Sequence, residues 1–317
     1  MDLVVPDHIV ELGATSRRAF GDLGGVDAAR RAEADPAARE QAGDALRALG
    51  ADDIDPVGDV DQALAAFTLC REAGRVALPW PVEGTLCTID GRAVVLVDTR
   101  DPLVDHADLL GEIVAVDLEG TTWSAAVAGP ALASRLAPFA VPVTLTALTD
   151  RAGADVDAIA TAAWALSAAT VLGHVEAAVA LAAEHVRTRH QFGQRIADFQ
   201  AVQFQVADAL VATAGLAELA LFTFWRLAEL GAGARTDALA LRLHAADVAR
   251  AALRTAQQLH GASGVSEEYD VSVLCRRVQS TLRFPVSSER VLDVLVDTTR
   301  ETGFVSLFPQ GRQRARR

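Results

Sequence analysis

Four long helix-forming stretches dominate the chain beyond about residue 156, and they constrain its fold more than any other feature. The first runs from Val156 to Arg189 and is rich in Ala, Leu and Val. The second, DFQAVQFQVADALVATAGLAELALFTFWRLAEL, places Phe199, Val202, Val206 and Leu210 three or four residues apart, along one helical face. The third runs from Thr236 to His260 and stops at HGASG. The fourth, SERVLDVLVDTTRE, has Ser288 as a cap and Glu289 in its first turn. Stripes of this length must be buried against one another, which predicts a four-helix bundle over 151–317.

The preceding sequence differs in kind. Residues 1–88 read as helical. VDAARRAEADPAAREQAGDALRALG ends at Gly50, and DVDQALAAFTLCREAG has an Asp start, an apolar face through Leu64, Phe67 and Leu69, and a stop at Gly74. Pro79 and Pro81 then break the pattern. Residues 89–150 hold four short β-branched runs, RAVVLVD, EIVAVD, TTWSAAV and VPVTLTAL, punctuated by Asp, Gly and Pro. The expected fold class is mainly α with a small β segment: an N-terminal helical region, a reduced middle β-domain and the bundle.

Composition narrows the function classes. The chain has 317 residues, 51% of them hydrophobic and only 5% aromatic, enough for a real core. All 29 basic residues are arginine, and the net charge is −13. That charge argues against a nucleic-acid partner, and the short basic RQRARR terminus reads as a solvated end. Cys70, Cys87 and Cys275 are odd in number and lack metal spacing, so they read as reduced, buried residues. The N-terminus lacks the pattern of a secretory signal. With no uncharged apolar run expected to reach membrane-spanning length, the expectation is a cytoplasmic protein with no membrane contact.

Two motifs carry chemistry. RTRHQFGQRIADFQAVQF supplies Arg189, Phe192, Gly193, Phe199 and Gln200, followed by Ala207 and Asp208. QLHGASGVSEEYDVSVLCRR supplies Gln258, Gly261, Gly264, Glu268, Tyr269 and Arg276. An arginine can fork onto phosphate oxygens, a phenylalanine offers a face to a flat ring, and a glutamine can both donate and accept. Glycine at 193 and 261 lets backbone approach a ligand. The bland reading makes the phenylalanines core, Arg189 a surface ion pair and the glycines helix stops.

Taken with the helix–β–helix order, the two motifs resemble those of the acyl-CoA dehydrogenase family of flavoproteins. The resemblance is good over about 156–300, loose over 1–88 and poor in the β segment. It implies that Arg189, Phe192, Gln200, Gln258 and Gly261 reach across a subunit interface to an FAD held mainly by a neighbour. It also locates what is missing. In most of the family, the base that removes the α-proton is the Glu of an E-G-T triplet, about twenty-one residues after the last glycine of the second motif. Here that position is Pro285, and the triplet reads Pro285, Val286, Ser287. Some relatives carry the base earlier on the first bundle helix, near Ala163 and Trp164 here, and neither is an acid. The family's Arg–Asp pair reads Arg276–Arg277, its second glycine reads Ala262, and the T-E-x-x-x-G-S-D stretch has no counterpart in the β segment.

No triad or metal set emerges from the histidines. His174 reads as a core or interface residue, His185 replaces an aromatic common in the family, His260 belongs to the turn before Gly261, and His190 reads as exposed. The resemblance therefore implies a non-catalytic subunit of a heteromeric acyl-CoA dehydrogenase, similar to the α2β2 steroid-CoA dehydrogenases of actinobacteria. A catalytic partner subunit would bind the acyl-CoA, a steroid side-chain CoA being one candidate, and would share FAD with this chain. Two alternatives stay open: a cofactor-free structural pseudoenzyme, and a self-sufficient flavoenzyme with a relocated base such as Glu289.

Overall fold

The computed structural model describes residues 5–148 and 153–303. Residues 1–4 of the N-terminus and the basic tail lie outside that range.

Helices α1 (Asp7–Asp22), α2 (Val26–Ala32), α3 (Pro36–Ala48), α4 (Val60–Arg75) and the short α5 (Val82–Leu86) form the N-terminal part. The single helix expected before Gly50 is two. Pro36 lacks the N–H that an uninterrupted helix needs, so it starts α3 at N1 under an Asp35 cap that accepts from Ala37 N. Asp59 caps α4 as expected, accepting from Gln62 N at 2.9 Å. Gly74, expected as a stop, lies inside α4.

All four expected strands are present, as β2 (Arg92–Leu96), β4 (Ile113–Val116), β5 (Thr122–Val127) and β6 (Ala140–Ala147). Two short strands, β1 (Thr88–Ile89) and β3 (Leu103–Asp105), complete a six-stranded sheet in the order β1-β2-β4-β5-β6-β3. Only β2 and β4 run parallel, in register from Ala93↔Ile113 to Leu96↔Val116.

The C-terminal part holds α6 (Gly153–Thr188), α7 (Gln200–Leu230), α8 (Arg235–His260), α9 (Asp270–Arg283) and α10 (Ser288–Thr302). Helix α9 is an addition to the expected four. Its sequence carries the second half of the QLHGASG motif, and its apolar positions Val271, Leu274, Val278 and Leu282 form a buried stripe. Ser287, one residue before the expected cap, is the N-cap of α10. Helix α6 is the axis of the fold, packing on α4, α7, α8 and α9. Residues 158–175 lack Asp, Glu and Arg, so an uncharged run of membrane-spanning length does exist. By length and composition α6 and α7 could each cross a membrane. For α6 the apolar run is explained by burial among the other helices. Helix α7 is different: Phe204, Leu210 and Val211 are 60%, 50% and 73% exposed. Among the described residues nothing covers that apolar face.

Cys70, Cys87 and Cys275 are buried free thiols, as expected, and burial raises all three, Cys275 to about 12.

Candidate functional site

The five expected cofactor residues gather at one end of the bundle, where α6 ends, α7 begins and α8 ends. After α6 the chain makes a two-residue hairpin, β7 (His190–Gln191) paired with β8 (Gln194–Arg195). The Arg189 carbonyl accepts from Ile196 N at 2.9 Å and closes its base. A 3-10 turn over Ile196–Asp198 then leads into α7. The hairpin turn is Phe192–Gly193, with φ of +55° and +82°. Two positive φ values suit a primed turn, for which Asn-Gly is the favoured pair and phenylalanine a poor choice. Phe192 is also 90% exposed, meeting the edge of the Phe199 ring at 6.3 Å between centroids. A strained backbone that holds a bare aromatic ring in solvent is poor economy for a structural residue.

Arg189 and Gln200 are exposed, and neither side chain has a protein partner among the described residues. On the α8 side, Gln258 is exposed in the last turn, and Gly261 ends the helix with φ +62° and nothing within 4 Å of where a Cβ would stand. Gly264 is fixed for packing, because a Cβ there would lie 2.4 Å from the Gln257 carbonyl oxygen. The two sides meet through His185 and His260, whose rings stack at 4.5 Å. Burial, then His260 and Arg189, pull the His185 pKa down. His190 is exposed, with Nδ1 3.1 Å from the Thr188 carbonyl. An unpaired guanidinium, a bare aromatic face, two free amides and an open glycine backbone fit a dinucleotide carrying a pyrophosphate and a flat base.

A second feature lies elsewhere, in a cavity of about 170 Å³ between the N-terminal helices, β2, β3, α6 and α9. Pro285 is part of its wall, as is Ala163, so both positions where a family base was sought face the same space. Neither carries an acid. Trp164 is fully buried and does not line the cavity. Glu289 is exposed in the first turn of α10 and lies off the cavity wall. Its place there is that of a helix N-terminal carboxylate.

Sequence reading missed the cavity's polar residues. Glu83, in α5, shares a 2.5 Å hydrogen bond with the Thr170 hydroxyl, and burial raises its pKa. Asp105 ends β3 and is raised by burial too, although Arg277, Ser280 and Arg39 oppose the shift. His174 is the expected core histidine, with Nδ1 2.9 Å from the Thr170 carbonyl, and burial lowers its pKa to about 4. Arg277 lies over the Phe139 ring at 4.1 Å. Its neighbour Arg276 does separate work, pairing with Glu33 at 2.7 Å and Glu267 at 3.1 Å.

Comparison with known proteins bears on the fold. Residues 161–284 match the family model described as acyl-CoA dehydrogenase, C-terminal domain. The first curated relatives are 30–33% identical, but the matches span only 27–30% of their own length. A longer match is to acyl-CoA dehydrogenase IpdE2 of Mycolicibacterium smegmatis, 25% identical over 239 residues, covering 68% of this chain and 72% of that protein. Among solved structures, a chain of the ChsE4-ChsE5 complex from Mycobacterium tuberculosis superposes with a TM-score of 0.78 at 18% identity, covering 96% of this chain and 100% of that one. A chain of the Tcur3481-Tcur3483 steroid ACAD gives 0.76 at 20% identity, covering 93% and 98%. The protein therefore has the acyl-CoA dehydrogenase-like fold, and its residues 161–284 match the acyl-CoA dehydrogenase C-terminal domain.

Proposed function

We propose that this chain is the non-catalytic subunit of a heteromeric, FAD-dependent acyl-CoA dehydrogenase, and that it completes a flavin site held mainly by a catalytic partner. The observation that carries the reading is Phe192, 90% exposed at a positive φ, beside an unpaired Arg189. In this reading Arg189 holds phosphate oxygens, Phe192 covers a flat ring, and Gln200 and Gln258 satisfy the remaining polar edges. Gly261 lets the α8 terminus come close. FAD bound there supplies a two-electron acceptor. The chain's own residues bind and orient, and they transfer no proton, since the base position is Pro285.

The uncovered face of α7 supports a partner, because it is contiguous in sequence with the Phe192–Gln200 motif and carries exposed Phe204, Leu210 and Val211. A heteromer is favoured by the likeness to chains from two-component complexes, one of them named a steroid ACAD. An acyl-CoA with a steroid side chain is accordingly the substrate class we assign to the complex, bound mainly by the partner. An α2β2 assembly, acting in the cytoplasm on lipid, is the form we propose.

Co-expression with a full-length acyl-CoA dehydrogenase subunit encoded beside it tests the reading. The expected result is a yellow complex of the two chains that dehydrogenates an acyl-CoA, with this chain alone colourless and inactive. A stable complex without flavin would instead favour a cofactor-free structural subunit.

A further inference from the structure

The cavity walled by Pro285 is better furnished than a relic needs to be. Its apolar surface comes from residues such as Leu78, Val82, Val94, Leu96 and Leu103. Its polar surface includes Arg277, Ser280, Asp105 and Glu83. Arg277 is the decisive group. It is only 8% exposed, and its Nε has no hydrogen-bond partner. Among the described residues no carboxylate lies within 4.0 Å of its guanidinium. Phe139 covers one face of the guanidinium. Stacking of this kind holds a guanidinium in place and leaves its N–H edge available. Asp105 also keeps one buried carboxyl oxygen without a partner.

Asp105 and Glu33 act on Arg277 only from beyond salt-bridge distance, and a buried arginine without a direct ion pair is costly in a fold and becomes useful once an anion reaches it. We propose that this cavity binds a small free carboxylic acid with a short apolar tail, its carboxylate forked by Arg277 and its tail among Leu78, Val94 and Leu103. Of the neighbouring acids, Glu83 is already engaged by the Thr170 hydroxyl, and burial raises the pKa of both Glu83 and Asp105, which lessens their repulsion of a bound anion, although Arg277, Ser280 and Arg39 oppose the shift at Asp105. A cavity of about 170 Å³ is below the size that takes drug-like ligands and suits a short tail of roughly four to eight carbons. The site is separate from the flavin reading: none of Arg189, Phe192, Gln200, Gln258 and Gly261 lines it.

The test is isothermal titration calorimetry on the full chain, or on its complex with the partner, using straight-chain carboxylates from butyrate to octanoate and the matching alcohols. Expected is one saturable site per chain, with carboxylates preferred over the equal-length alcohols by about tenfold or more, as a charge-assisted hydrogen bond gives. Arg277→Gln removes that preference. Ser167→Leu, which fills the cavity from α6, removes binding of both series. No saturable binding, equal affinity for acid and alcohol, or binding that survives Ser167→Leu overturns the proposal. If Arg277→Gln does not fold, the acid-to-alcohol ratio of the native protein and the Ser167→Leu variant still decide it. Flavin content is measured on the same samples, so failure of the flavin reading is seen separately.

Discussion

His185 stacks on His260, with ring centroids 4.5 Å apart and planes 25° from parallel. This contact joins the end of α6 to the end of α8. It therefore sets Arg189 and the hairpin against Gln258 and Gly261. Neither ring needs to touch a cofactor to matter; they position the groups proposed to do so. A stacked aromatic pair contributes about 0.5–1.5 kcal/mol. Replacing His185 with alanine should lower flavin retention of the complex roughly two- to tenfold, while His185→Phe should keep it near the native level. Flavin absorbance after dialysis checks both, and equal retention in the alanine variant would remove His185 from the account.

Phe192 presents a trade between stability and binding. Its positive φ, +55°, is one that asparagine adopts far more readily before Gly193. Phe192→Asn should leave the isolated chain as stable, or more stable by up to about 1 kcal/mol. The same change should weaken flavin retention in the complex. Urea denaturation and flavin absorbance read the two halves independently. A loss of stability with unchanged flavin would mean that Phe192 serves the fold.

Gly74 and Gly173 let α4 and α6 meet backbone to backbone. A Cβ on Gly173 would stand 2.0 Å from the Arg71 carbonyl oxygen, and one on Gly74 would stand 2.2 Å from that of Thr170. The obstacle is backbone on both sides, so it cannot swing away. Gly173→Ala should cost about 1–3 kcal/mol or more in chemical denaturation, as overpacking does. The nearby Arg71–Glu176–Arg75 cluster, with contacts of 2.5 and 2.6 Å, should loosen with it.

His174 should make the fold sensitive to acid. Burial lowers its pKa to about 4, whereas an unfolded histidine titrates near 6.5. Between those values the unfolded chain binds the extra proton, so stability falls as pH drops from 6.5 towards 4. This one residue should account for roughly 2 kcal/mol between pH 6.5 and 5. His106, also lowered by burial, acts in the same direction, while the raised Glu83 and Asp105 act in the opposite one. The difference between the native chain and His174→Asn isolates the single residue. Denaturation midpoints at the two pH values should converge more in the variant; parallel behaviour would contradict the assignment.

What could be read in advance was local. β-branched runs, caps and 3–4 spacing are written in neighbouring residues, so β2, β4, β5, β6 and the long helices α6, α7 and α8 were legible. Helix α9 was overlooked because the same residues were read as a motif. Gly74 was misread because a helix stop and a helix crossing use the same residue, and only the partner Gly173, far along the chain, tells them apart. That Arg189, Phe192, Gln200, Gln258 and Gly261 would gather in one exposed strip was legible because they lie in two short motifs. The cavity was not, since Glu83, Asp105, Thr170 and Arg277 come together only through packing of α5, β3, α6 and α9. Arg277 was visible only as a departure from an expected Arg–Asp pair, without a role.

The central claim is that this chain reaches a flavin belonging to another subunit, and Arg189→Ala in the co-expressed complex tests it most directly. The measurement is the flavin-to-complex ratio, from visible absorbance and protein mass, with subunit association followed by light scattering. The account predicts an intact complex with flavin occupancy reduced several-fold, and no flavin on this chain when purified alone. Native occupancy in the variant, or stoichiometric FAD and acyl-CoA turnover by the chain on its own, would contradict it.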